Sequence, residues 1–169
     1  MRLVRASLAI VVFCVAGFTL FRVPWTRQSC NIEKRRAEQL IERAPTIVSD
    51  FERQDAASRA AERMDRCIAA TPDDWQLYFL AGALHEIAGR APVGMARYQA
   101  ALALEERPEI YQAISFLQLQ RGEAEEGLRN AEKATSFNLQ FAESYQPLLR
   151  DQLWVKALER ERLLKQKQK

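Results

Sequence analysis

The sequence predicts an all-α fold of paired antiparallel helices stacked side by side, and three observations predict it. First, the chain resembles itself at a spacing of 33 to 34 residues. Tyr78, Tyr111 and Tyr145 fall in register, as do Gly89 with Gly122, Gly94 with Gly127, and Ala101 with Ala134. A shift of 34 brings Asp55, Ala60, Met64, Cys67 and Ile68 under Gly89, Gly94, Tyr98, Ala101 and Leu102. Second, the apolar residues of each period recur at three and four, twice over, with a glycine or proline at the break. Third, no stretch after residue 30 alternates as a strand would. A fixed period in this range marks units that stack, and stacked units build a surface for a partner more readily than a pocket for a reaction.

In chain order, residues 1–5 are a basic start. Residues 6–21 carry no charge and stand between Arg5 and Arg22. This run falls slightly short of a bilayer core at the helical rise, and Val23, a snorkelling Arg22 and an interfacial Trp25 extend it. It reads as a transmembrane anchor over 6–23. The alternative is a cleaved signal peptide with Cys14, Val15 and Ala16 before the cut, which would leave an awkward apolar new terminus at Gly17. Residues 24–40 are a linker and N-terminal helix, whose apolar positions Ile32, Leu40 and Ile41 continue the helical pattern to Arg43.

A first and poorer unit spans 41–74, with Ala44, Ile47, Val48 and Phe51 in one helix and Ala60, Met64, Cys67 and Pro72 in or after the next. The second unit, 75–107, is clearer. Thr71-Pro72-Asp73-Asp74 reads as an N-cap with proline and acids in the first turn. A helix then runs through Trp75, Tyr78, Phe79, Leu84 and Ile87, Gly89 stops it in the left-handed conformation, and Pro92 opens a partner through Met95, Tyr98 and Ala101. The third unit, 108–141, repeats the scheme: Pro108 opens, Gly122 closes, and residues 124–137 form the second helix. Residues 142–169 supply a capping helix, with Leu149, Leu153, Ala157 and Leu164 on one face, and a basic tail.

On these residues the chain resembles the tetratricopeptide repeat (TPR) proteins. Tyr78, Ala81, Gly82 and His85 occupy first-helix positions of that motif in the best unit, and Gly94, Tyr98 and Ala101 the second-helix positions. The next unit offers Tyr111, Ile114, Ser115, Gln118, Gly127, Ala131 and Ala134. His85, Gln118 and Ala131 depart from it by replacing aromatics. The resemblance covers residues 41 to 141, with a half unit beyond, and implies a helical-hairpin solenoid of about three units plus a C-terminal capping helix; the single transmembrane helix read from the apolar run precedes it.

The resemblance also implies that the first helix of each unit lines a concave groove for another protein or peptide. The groove residues would then be Gln76, Phe79, Ala83 and Glu86, followed by Glu109, Gln112, Phe116 and Leu119. A lysine, asparagine and arginine clamp for a peptide carboxylate is missing from these positions. Phe79 and Phe116 read equally well as residues that pack between helices.

Charge divides the chain. Residues 1–36 hold seven Lys/Arg and one acid, residues 37–155 hold 12 Lys/Arg and 19 acids, and residues 156–169 hold six and two, which together give the formal +3. The repeats are therefore acidic, a poor counter-ion for phosphate, and nucleic acid is not an expected partner. Among cysteines outside the apolar run, Cys30 and Cys67 would suit one disulfide if the repeats are exported, closing a loop worth roughly 3 to 4 kcal/mol in the chain-entropy model. Cys67 reads alternatively as a small buried residue where the motif takes alanine. The positive-inside count would hold the repeats in the cytoplasm, whereas the short basic start followed at once by an apolar run is how exported chains begin. The balance favours an extracytoplasmic repeat domain on a single-pass anchor.

There is one histidine, no glycine-rich phosphate loop and no cysteine or histidine cluster at metal spacing, so no metal site is proposed. No enzyme activity, cofactor or small-molecule substrate is expected, and His85 reads as a packed residue. The expected function is a membrane-anchored protein–protein interaction adaptor or assembly scaffold. The alternative is a structural subunit permanently buried in a larger envelope complex.

Overall fold

The computed structural model describes residues 27–158 apart from 148 and 157, and every regular element among them is helical. The apolar run at 6–23 and the tail from 159 lie outside the described residues. Among the described residues no helix is long and apolar enough to cross a membrane.

Residues 27–43 form α1, and a 3-10 turn at Ala44–Thr46 follows. The next helices are α2 (Asp50–Ala70), α3 (Trp75–Ile87), α4 (Ala91–Leu104), α5 (Pro108–Gln120) and α6 (Ala124–Phe137). A second 3-10 segment, Leu139–Ser144, leads into α7, helical from 147 to 158 around the two undescribed positions. From α2 to the second 3-10 segment, each element packs chiefly on its neighbour in sequence. Residues 88–90 join α3 to α4 and 121–123 join α5 to α6; connections this short must reverse the chain.

The turns follow from their residues. Gly89 has φ +74° and Gly122 φ +79°, a region that costs glycine little and other residues more. Each position lets the next amide reach back into the finished helix: Arg90 N donates to His85 O at 2.8 Å, and Glu123 N to Gln118 O at 2.9 Å. Pro92 and Pro108 sit in first turns, where the missing N–H is not needed. Ser49 caps α2 by accepting from Glu52 N at 3.3 Å.

The core runs along the stack as three clusters. Ala57, Ala61, Met64, Leu77, Ala81 and Leu84 fill the space between α2 and α3, with Cys30 and Ala37 of α1 added. Tyr98, Ala101, Ile110 and Leu117 join α4 to α5, and Ala131, Tyr145 and Leu153 close the C-terminal end. The α3–α4 crossing is close: a Cβ on Gly94 would meet the Gly82 carbonyl oxygen at 2.9 Å, and one on Gly82 would meet the Tyr98 ring at 2.6 Å. Small residues are required there by close contact, with backbone at Gly94 and with the Tyr98 ring at Gly82, not by helix propensity.

Two sequence expectations need correction. Thr71 does not open α3. It closes α2, with its Oγ1 donating to Cys67 O at 2.9 Å, and Asp74 is the cap, accepting from Gln76 N at 3.1 Å. The expected first helix of the 41–74 unit is also displaced. α2 is 21 residues long against 14 for α4 and for α6. The extra turns at its start put Ala44–Thr46 in a 3-10 turn and leave Val48 and Phe51 99% and 79% exposed, so neither lines a helix interface. α1 takes the place of the missing helix. The last helix, expected from about Pro147, is α7, which begins at 147 after the 3-10 segment Leu139–Ser144.

Candidate functional site

Two clefts collect most of the groove residues expected from sequence. The first lies between α1 and α3 and has a volume of about 340 Å³. Glu38, Ile41 and Glu42 of α1 form one wall; Trp75, Gln76, Phe79, Leu80 and Ala83 of α3 form the other. Its surface is mainly apolar, and its acids stand four residues apart, on the same face of α1. Phe79 is fixed on two sides, with ring centroids 6.2 Å from Trp75 and 5.6 Å from Tyr98. Gln76 is held through its Oε1, which accepts from Lys34 Nζ at 2.9 Å.

The second cleft, about 560 Å³, lies between α5 and the Phe137–Ser144 stretch. Glu109 and Gln112 line it, with Arg107, Asn138, Gln140 and two phenylalanines, Phe137 and Phe141. Gln112 Nε2 donates to Ser144 Oγ at 2.6 Å. The two clefts adjoin: the Arg107 guanidinium of the second lies 5.1 Å from the centre of the Trp75 ring of the first, in a cation–π contact.

The other three expected groove residues are taken up by packing. Glu86 accepts from Tyr98 Oη at 3.2 Å, and burial pushes its carboxyl above the usual range. Phe116 packs on Tyr145 at a centroid distance of 4.8 Å. Leu119 lies against α6, where a Cβ on Gly127 would meet its Cγ at 2.7 Å. Glu38, Ile41 and Glu42 went unassigned because α1 has no counterpart in the aligned register. The signal that pointed to them was the helical spacing of Leu40 and Ile41 with Ile32.

Cys30 and Cys67 are joined in a disulfide, Cα to Cα 5.5 Å, linking α1 to the last turn of α2. His85 is 4% exposed between α2, α3 and α4. Its Nε2 stands 3.4 Å from Asp65 Oδ2, too far for a strong hydrogen bond, and Asp65 Oδ1 meets Arg97 at 2.9 Å. Burial and the Arg90 charge lower the His85 pKa, and Asp65 only partly opposes them. Among the described residues no group of three His, Cys, Asp or Glu side chains is placed to hold a metal ion.

No family model matches the chain, and no curated protein matches it.

Proposed function

We propose that this chain is a TPR-like adaptor, tethered to a membrane through residues 6–23, that docks a segment of another protein against the α1–α3 cleft. The observation that carries the reading is the cleft's chemistry. Ile41, Trp75, Phe79 and Ala83 offer a floor for one apolar side chain, and Glu38 and Glu42 stand beside it. The occupant is a peptide segment with an apolar anchor flanked by lysine or arginine, in extended or helical form. The acidic balance of residues 37–155 supports the same polarity of partner. The helical-hairpin stacking and the 33 to 34 residue period support the repeat assignment. The reading invokes no catalysis, cofactor or nucleic acid.

The disulfide supports placing the repeats in an oxidising, extracytoplasmic compartment. A second reading, a permanent subunit of a larger envelope complex, draws on the exposed Val48, Phe51, Val155 and Leu158 at the two ends of the stack. Recovery of the full-length chain in gentle detergent, as wild type and as Ala83→Lys, tests the adaptor. A discrete partner lost from Ala83→Lys supports it. A partner set unchanged by that substitution contradicts it, and retention of one complex at fixed stoichiometry favours the second reading.

A further inference from the structure

The first cleft owes one wall, and both acids beside it, to α1, and α1 is lightly held. Apart from Cys30, its one fully buried side chain among the described residues is Ala37; Leu40 and Ile41 pack at half depth. Its polar ties to other helices include Lys34 to Asp74 at 2.8 Å, Lys34 to Gln76 at 2.9 Å and Glu33 to Arg63 at 2.8 Å, all at least partly open to solvent. By contrast α3 buries Leu77, Leu80, Ala81 and Leu84 and is gripped by both α2 and α4. The bond from Cys30 to Cys67 adds a covalent link between this thinly packed helix and α2. The bond itself is buried, Cys30 at 7% and Cys67 at 6% exposure, but both residues border a cavity of about 360 Å³ with Glu33, Arg63 and Arg66, and Cys30 borders a second of about 330 Å³ with Asn31, Thr71 and Trp75.

We propose that the Cys30–Cys67 disulfide is a redox-controlled tether, whose reduction releases α1 and dismantles the α1–α3 cleft. The effect on docking rests on the reading of that cleft given above. The reductant is an external dithiol. One of its thiolates attacks a sulfur of the pair, breaking the S–S bond and forming a mixed disulfide; its second thiol then displaces the bound cysteine. The dithiol leaves as a disulfide, oxidised by two electrons, and its two protons end on the Cys30 and Cys67 thiols. A disulfide oxidant runs the same steps in reverse. In the reduced chain Glu38, Ile41 and Glu42 depart with α1, while Trp75, Gln76, Phe79 and Ala83 stay on α3.

Hydrogen exchange by mass spectrometry on the full chain in gentle detergent, with and without dithiothreitol, tests the tether. Residues 31–43 are expected to exchange at least about a hundredfold faster after reduction, the factor that corresponds to losing a cross-link over a loop of this length. Peptides of α5 and α6 are expected to keep their protection. Cys67→Ser should exchange fast at 31–43 whether or not dithiothreitol is present; if that variant fails to fold, the reduced wild type gives the same reading. Protection at 31–43 retained after reduction would overturn the proposal, and so would a loss spread evenly into α5 and α6. Ala83→Lys in the oxidised chain separates the two claims. Partner capture that survives this substitution sinks the docking reading alone, while the exchange of 31–43 still decides the tether. Capture that persists in reduced wild type with α1 released overturns the gating.

Discussion

The N-terminal third and the middle of this chain share a period but are held together by different means. In α3–α6, helix pairs cross closely because glycine stands at the contact. Gly94 lies against the Gly82 carbonyl, and Gly127 lies under Leu119, where Ser115 Oγ also donates to the Gly127 carbonyl at 2.8 Å. In α1–α2 the contact is made by alanines and a covalent bond, and α2 runs two turns beyond the stack. The difference teaches that a repeat can lose much of its motif if a cross-link replaces what packing no longer supplies. It also places the least self-sufficient helix beside the cleft.

The largest expected effect lies in the middle. Ala101 is fully buried in the α4–α5 core, and Ala101→Arg puts an unpaired charge there. It should cost more than about 4 kcal/mol and unfold the array. A thermal melt unchanged by the substitution would break the picture of a close-packed centre. Gly94→Ala is the subtler form of the same test. Its Cβ would press on backbone rather than on a flexible side chain, so a loss of roughly 1 to 3 kcal/mol is expected in denaturant unfolding.

Reduction of the disulfide comes next. It should lower stability by roughly 3 to 4 kcal/mol at most, with the loss confined to α1 and α2, as protease cleavage sites appearing between residues 31 and 56 would report. Cleavage spread over α5 and α6 would erase the distinction between the regions.

His85 gives a pH prediction. Its pKa is lowered in the folded protein, so below the unfolded value of 6.5 the unfolded chain binds more protons. Stability from this group is complete above that value and lost as pH falls toward the folded pKa. Glu86, with a raised pKa, acts in the opposite sense at lower pH, so the comparison must be between wild type and His85→Gln. The melting temperature of wild type should fall more steeply than that of His85→Gln on acidification from about pH 7.5 to about 5.5. Parallel curves would contradict the assignment. The smallest effect is expected at Phe51→Ser, within about 0.5 kcal/mol, because the ring is 79% exposed. A large loss there would mean that the overhang of α2 is covered in solution.

Helix boundaries in the middle were legible because single residues dictate them. Gly89 and Gly122 need a left-handed turn, and Pro92 and Pro108 tolerate a first turn. The start of α2 was not legible, since its first seven residues bury no side chain fully and carry no apolar periodicity. They are helical through local terms: the Ser49 cap and the ion pairs Arg53–Asp50 and Arg59–Asp55. That overhang shifted the preceding helix upstream and hid the α1 wall of the cleft. Phe79 and Ala83 could be placed from register alone, whereas Glu38, Ile41 and Glu42 depend on a helix whose buried residues are few and small. Phe116 and Leu119 had the right register for a groove, but they pack, half-buried, against Tyr145 and Gly127 at the C-terminal end.

The most direct test of the proposed docking cleft is photo-crosslinking in native membranes from its two walls. A photoreactive residue replacing Ile41 on α1 or Ala83 on α3 should give adducts with the same partner segment, rich in lysine or arginine, and one replacing the exposed Arg129 on α6 should not. Adducts with that segment from Arg129 as readily as from Ile41 and Ala83, or different partners from the two walls, would contradict the account.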